Sequence, residues 1–436
     1  MLKRIAVTGF LLLFYAVTCA SAQAPDSPIT KQDREWLDHV LWTVRDEIKK
    51  NYYDPSFHGL DIDQRFQQAA IKMATAPDRN YAVADIAGAV SALNDSHTFF
   101  LPPPRPYTNE YGWRMQAEGE SDCFITAVKP GSDAEKKGLK PGDQVMSVAA
   151  YTAIRPDLWK IDYVYGALRP QLGLRLVVRT PKGEMRQLDA MAEMSKRSWN
   201  PWNYEEKLIT LYHRHLARTV EYGKNAIIYK LPDFAYDPDR ANEMLDKIRG
   251  HESVVLDLRG NPGGYVEFLS RFLGGMFDHE VKIGDRVGRK PLRGSVTRSR
   301  GSKTFQGKLV VLVDSKSASA AELFARVVQL EKRGTVIGDR SSGMVMESKV
   351  YPHEVPTMHG DIQYAVAITD ANVVMSDGKS LEGVGMVPDE LIIPTAADLA
   401  AGRDPVLARA AELVGVKLTP EEAGKLFPFL WPIDGE

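Results

Sequence analysis

At 436 residues the chain is long enough for two or three domains of the usual ~100–200 residues. Hydrophobic residues at 44% and charged residues at 26% are globular values, which excludes a disordered or collagen-like chain. With 55 basic and 57 acidic side chains the formal net charge is -2, which supplies no global electrostatic pull on nucleic acid or an anionic membrane, and no Lys/Arg run is long enough to argue for a local basic patch.

Residues 1–22 read as a signal peptide. Lys3 and Arg4 form a basic start, Val7 to Thr18 is a short apolar run, and Ala20-Ser21-Ala22 is a small-residue cleavage site. The run falls short of the ~20 apolar residues of a membrane-spanning helix, so the expectation is export to the periplasm or medium without stable membrane insertion. An uncleaved anchor and lipid attachment at Cys19 are the alternatives. Loss of Cys19 leaves Cys123 alone, which rules out an intrachain disulfide and a thiolate zinc site.

Residues 27–105 form a predicted helical region. Asp33 to Lys50 places Trp36, Leu37, Val40, Leu41, Val44 and Ile48 at helical spacing, and Asp63 to Ala76 and Tyr81 to Leu93 behave similarly. Asn94 to Thr98 closes the last helix, and Pro102, Pro103, Pro104 and Pro106 forbid another.

Residues 107–195 change to a β-rich pattern. Strands are expected at Cys123 to Val128, Gln144 to Val148 and Leu174 to Thr180, with a short helix at Asp133 to Lys137 and a hairpin turn at Pro181-Lys182-Gly183. The stretch VKPGSDAEKKGLKPGDQVMSV, Val128 to Val148, resembles a PDZ domain, which implies capture of a polypeptide C-terminus as an added strand. A spacer that binds nothing is the alternative, since no Gly-Leu-Gly-Phe carboxylate loop is present.

Residues 196–420 alternate strand and helix. Strands are expected at Ala226 to Leu231, Ser253 to Leu258, Leu309 to Val313, Thr335 to Ile337 and Tyr364 to Ile368, with helices at Asp237 to Arg249, Val266 to Met276 and Ala320 to Lys332. That order implies a mostly parallel sheet with its functional loops at the carboxyl ends of the strands.

Two of those ends have chemical potential. In DSKSASAAE, Asp314 to Glu322, an apolar strand runs into a small-residue turn and a helix. Ser319 would stand at the helix start as a nucleophile, with the Ala320 N–H free to hold an oxyanion; an ordinary N-cap serine would look the same. In DLRGNPGG, Asp257 to Gly264, the two glycines let the backbone approach a carbonyl closely, and no phosphate-loop lysine follows.

Together these motifs resemble the tail-specific (C-terminal-processing) serine peptidases. The order PDZ-like segment, DLRGNPGG, DSKSASAAE and then EGVGMVPD, Glu382 to Asp389, is that of the family and covers nearly all of the chain beyond the leader. The resemblance implies a multidomain α/β fold: an N-terminal helical region, a PDZ-like domain and an α/β core of crotonase-like architecture. One departure stands out. Where the Ser–Lys branch carries its lysine base this chain has Met344, whose thioether cannot accept a proton, and Lys349 is five residues out of register. Asp95-Ser96-His97-Thr98 resembles the tricorn core protease branch instead. That resemblance implies Ser319 as nucleophile, His97 as base, Ser96 as its orienting hydroxyl and Glu382 as the carboxylate behind it. Gly263 or Gly264 and Ala320 would form the oxyanion hole. The expectation is an exported serine endopeptidase acting on polypeptides, with no metal or cofactor. A catalytically inactive peptide binder and a ligand carrier are the rivals. His213 and His215, two apart, would face different sides of a helix and make a poor metal pair.

Overall fold

The structure, a computed structural model, describes residues 29–196, 218–297, 299–357 and 360–431. The expected leader and the His213/His215 pair lie outside the described residues. The fold is a multidomain mixture of helix and sheet.

Helices α1 (Lys31–Asn51), α2 (Ile62–Ala74) and α3 (Arg79–Val90) come first. Each begins at a capping side chain, Thr30, Asp61 or Asp78, which accepts a backbone N–H of the first turn. The buried face of α1 is Trp36, Leu37, Val40, Leu41, Val44 and Ile48, the apolar set that the spacing predicts. After α3 a 3-10 turn ends at Asn94, which takes the left-handed conformation with φ 54°. The chain reverses there and enters β1 (Phe99–Leu101), a strand absent from the sequence reading.

A β-rich unit follows: β2 (Tyr107–Glu110), β3 (Trp113–Glu118), β4 (Asp122–Val128), β5 (Gln144–Val148), β6 (Tyr151–Thr152), β7 (Gly173–Arg179), β8 (Met185–Met191) and β9 (Glu193–Lys196). The antiparallel sheet runs β3-β4-β5-β7-β8, with the short helices α4 (Asp133–Lys136) and α5 (Leu158–Tyr163) between its strands, around a core that includes Trp113, Ile125, Leu176 and Val178. Strands β2 and β9 pair with each other, Tyr107 opposite Lys196, so the unit's entry and exit lie side by side.

The main sheet has the order β10-β11-β12-β15-β16-β19: β10 (Arg218–Tyr222), β11 (Ala226–Lys230), β12 (Ser253–Asp257), β15 (Lys308–Val313), β16 (Thr335–Gly338) and β19 (Glu390–Leu391). All neighbours from β11 to β19 are parallel and β10 is antiparallel. Both faces are covered, which explains the continuous apolar runs in the sequence. Val254, Leu256, Leu309 and Val311 point into one core and Val255, Val310 and Leu312 into another. The first core is closed by α6 (Pro238–Arg249), α7 (Val266–Gly274) and α8 (Ala320–Leu330).

A second sheet holds β1, β13 (Lys282–Val287), β14 (Ser295–Val296), β17 (Glu347–Val355) and the long β18 (Ile362–Val374). Phe99 opposes Ala367 across β1 and β18. Tyr364, Val366 and Ile368 of β18 also share one apolar cluster with α1–α3. The N-terminal helices are thereby fixed to the C-terminal part, and the turn just before β1 is delivered to it.

Candidate active site

Three loops leave the carboxyl ends of adjacent parallel strands β12, β15 and β16, where such sheets place their sites. After β15 the Asp314 carboxylate accepts from Lys316 N (3.0 Å), Ser317 Oγ (3.1 Å) and, across the gap, Gly260 N (2.9 Å). The Ala318 N–H donates to the Asn261 carbonyl at 2.9 Å. The β12 and β15 loops are therefore one hydrogen-bonded body.

Ser319 follows at φ 52°, ψ −120° and α8 starts at the next residue. For a residue with a Cβ such a conformation costs ~1–3 kcal/mol and persists only where neighbours enforce it. Here the Ser319 N–H donates to the Met344 carbonyl at 2.7 Å and to Glu322 Oε2 at 3.1 Å. The half-buried side chain is left at the helix N-terminus. The Ala320 N–H, first in α8, has no helical acceptor.

The glycine loop lies against this serine. A Cβ on Gly263 would fall 2.6 Å from Ser319 Cβ and 2.9 Å from the Ala320 nitrogen. A Cβ on Gly264 would fall 2.3 Å from the Phe234 carbonyl carbon. Both have positive φ, 98° and 149°. The Gly263 N–H is already bonded to Asn261 Oδ1 at 2.8 Å, and the Asn261 amide is oriented by its own bond to the Leu231 carbonyl. Of the two glycines expected as oxyanion donors, Gly263 is thus committed to the loop. Among the described residues no hydrogen bond engages the Gly264 N–H.

The turn before β1 carries Ser96 and His97. Its shape is set by Asp95, whose Oδ1 accepts from His97 N (2.9 Å), Thr98 N (2.8 Å) and Thr369 Oγ1 (2.7 Å). Glu382, 286 positions from Ser96, accepts the Ser96 N–H at 2.9 Å and the Ser96 hydroxyl at 2.8 Å. That hydroxyl also meets His97 Nδ1 at 2.7 Å. A hydroxyl has one proton, and it goes to the carboxylate, so the third bond runs from Nδ1–H to Ser96 Oγ. This assigns the tautomer with the lone pair on Nε2. Desolvation depresses the His97 pKa to about 4, with Asp95 opposing, so the ring is neutral at pH 7. Burial pushes the Glu382 carboxyl up, against the three bonds it accepts.

The two groups are joined through one peptide unit. The Met344 carbonyl accepts from Ser319, and the N–H of the same unit, on Val345, donates to Glu382 Oε2 at 3.0 Å. His97, Ser96 and Glu382 are thus linked by hydrogen bonds through the Met344–Val345 peptide unit to Ser319, against which Gly263 packs. Among the described residues, no hydrogen bond joins His97 to Ser319 themselves. Such contacts are often open before substrate binds. Lys349 sits on exposed β17, paired with Asp370 at 2.7 Å. Among the described residues no group of three or more His, Cys, Asp or Glu could hold a metal ion.

The sequence reading assigned no role to Asn261, Asp95 or Glu322. The Asp-x-His turn and the S-x-x-E pattern of Ser319 to Glu322 are legible signals for the last two. For Asn261 the turn to Gly263 is local, but the bond from its amide to the Leu231 carbonyl, 30 positions away, leaves no trace in the sequence.

Residues 226–392 match the sequence profile of peptidase family S41. The chain is 24% identical over 293 residues to a tail-specific protease of Haemophilus influenzae, an alignment covering 63% of this chain and 40% of that protein. It is also 24% identical over 368 residues to a probable CtpA-like serine protease of Staphylococcus haemolyticus, covering 80% of this chain and 65% of the relative. In both cases the chain spans less than two thirds of the relative. In fold it is similar to mature CPAF, with a TM-score of 0.61 at 15% identity, covering 84% of this chain and 94% of the other. Residues 226–392, which include the glycine loop, Ser319 and Glu382, are accordingly the part of the chain that matches peptidase family S41, and the chain is similar to proteins named as tail-specific and CtpA-like serine proteases.

Proposed function

We propose that the chain is an exported serine endopeptidase that cleaves polypeptides through an acyl-enzyme. The observation that carries this is the Glu382–Ser96–His97 chain, which leaves a neutral imidazole with its Nε2 lone pair unspent. His97 takes the proton of Ser319 as Oγ attacks the scissile carbonyl. The oxyanion is held by the N–H groups of Ala320 and Gly264. His97 then gives its proton to the leaving amine, and water, activated the same way, releases the acyl group. Export rests on the leader-like residues 1–22. Among the described residues no helix is long and apolar enough to cross a membrane.

We assign the β-rich unit the role of PDZ-like domain, presenting a substrate's C-terminus. Its contacts with the loops support this. Ser315 Oγ donates to the Ala117 carbonyl at 2.6 Å, and Gln116 Nε2 to Asp314 at 3.0 Å.

A fluorophosphonate probe tests the assignment. The expected result is a covalent adduct mapped to Ser319 by mass spectrometry and absent in Ser319→Ala and His97→Ala. Labelling that survives both substitutions, or a wild-type protein that takes no label, favours the non-catalytic binder that Met344 otherwise leaves open.

Two further outcomes follow from the geometry. Glu382→Gln should lower kcat by about 10–100-fold, less than loss of His97, because Glu382 acts on the ring only through Ser96. The pH profile of kcat/KM should also be displaced. The base works when neutral, and its pKa is lowered to about 4 from an ordinary 6.5. Activity should therefore persist as pH falls below 6.5 and be lost as it falls through about 4. An acid limb centred at the ordinary histidine value would exclude His97 in its observed surroundings.

A further inference from the structure

Glu322 occupies the third position of α8 and is fully buried, with 0% exposure. Its contact with the Ser319 N–H alone would be a capping box, a motif normally at a wet helix end. Here the carboxylate accepts three more donors from a different loop. Oε1 takes Ser341 Oγ at 2.5 Å and Gly343 N at 2.7 Å, and Oε2 takes Met344 N at 2.9 Å beside Ser319 N at 3.1 Å. Ser341 Oγ in turn accepts the Met386 N–H at 2.6 Å. Among the described residues no cation pairs with Glu322, so backbone and hydroxyl dipoles alone balance the buried group. The Met344 carbonyl holds Ser319, and the N–H of that peptide unit holds Glu382.

We propose that Glu322 is a positioning residue: its carboxylate clamps the Ser319 backbone to the Ser341–Met344 loop and so sets the nucleophile's place relative to Glu382, Ser96 and His97. The inference rests on the serine-peptidase reading above. Burial pushes the carboxyl up to about 7, and the four donors work against that rise by favouring the ionised form. A glutamine cannot substitute. In either amide orientation its NH2 faces a fixed N–H, Gly343 on one side or Ser319 and Met344 on the other.

The test compares Glu322→Gln and Ser341→Ala with wild type on unfolded casein, reading kcat and KM separately, together with the rate of fluorophosphonate acylation and thermal unfolding. A displaced nucleophile lowers kcat and leaves the binding cleft intact. Glu322→Gln should lose on the order of 10²-fold in kcat and in acylation rate, with KM within about threefold. Ser341→Ala, which removes one donor and leaves the backbone clamp, should show the same split at about tenfold. Wild-type kcat in Glu322→Gln overturns the inference, as does a loss shared equally between kcat and KM. Should Glu322→Gln not fold, unchanged kcat in Ser341→Ala overturns it. Failure of wild-type protein to label at Ser319 sinks the peptidase reading instead, whereas normal labelling with unaffected variants sinks only the clamp.

Discussion

His97→Ala is expected to abolish cleavage of an unfolded polypeptide as completely as Ser319→Ala does, on the order of 10⁴–10⁶-fold in kcat, and the double variant should lose nothing further. The reason is that neither group works alone. A serine hydroxyl without a base is a poor nucleophile at neutral pH, and an imidazole without the hydroxyl has nothing to activate. Neither side chain at or near the position of the Ser–Lys branch's base can substitute. The thioether of Met344 takes no proton, and Lys349 is committed to Asp370 on an exposed strand. Steady-state cleavage of casein by the three variants, with folding checked by thermal unfolding, measures this. Residual activity in His97→Ala well above that of Ser319→Ala would mean that another base operates.

Gly263→Ala should also be damaging, less so than loss of His97, even though its N–H donates to Asn261 and not to substrate. The added methyl would arrive 2.6 Å from Ser319 Cβ, 2.9 Å from Ala320 N and 3.0 Å from the Ala318 carbonyl oxygen. Two of the three atoms it meets are backbone and the third is the nucleophile's own Cβ. The backbone angle of 98° adds strain. Relief requires the glycine loop and the start of α8 to separate, which moves Ser319 and the Ala320 oxyanion donor together. A loss of about 10²–10³-fold in kcat is expected, the scale of removing an oxyanion donor. The protein should stay folded, because the apolar strands behind the loop are untouched. A variant with wild-type kcat would show that the loops have slack that the contacts deny.

Much of this was legible in the chain. Buried strands such as Ser253–Asp257 and Lys308–Val313 read cleanly because both faces are covered and the sequence is apolar throughout. The start of α8 read correctly because small residues precede an amphipathic helix. β1 and β17 did not. β1 has three residues, and β17 contains Pro352 and four charged or histidine side chains. It is a strand only because β18 offers it one edge while its other side faces solvent, where proline and charge are tolerated. The pairing of Ser96 with Glu382 followed from family resemblance, since no local pattern links positions so far apart. The commitment of the Gly263 N–H was invisible, because it depends on how Asn261 is held by Leu231.

The 286-residue span between Ser96 and Glu382 has a consequence for timing. Contacts of such separation form late, after the loop-closure entropy of the intervening chain has been overcome. On the peptidase reading proposed above, a newly made, still extended copy would carry the groups proposed for hydrolysis yet could not align them. Latency would then be a property of topology, lasting until Ser96 and Glu382 have met.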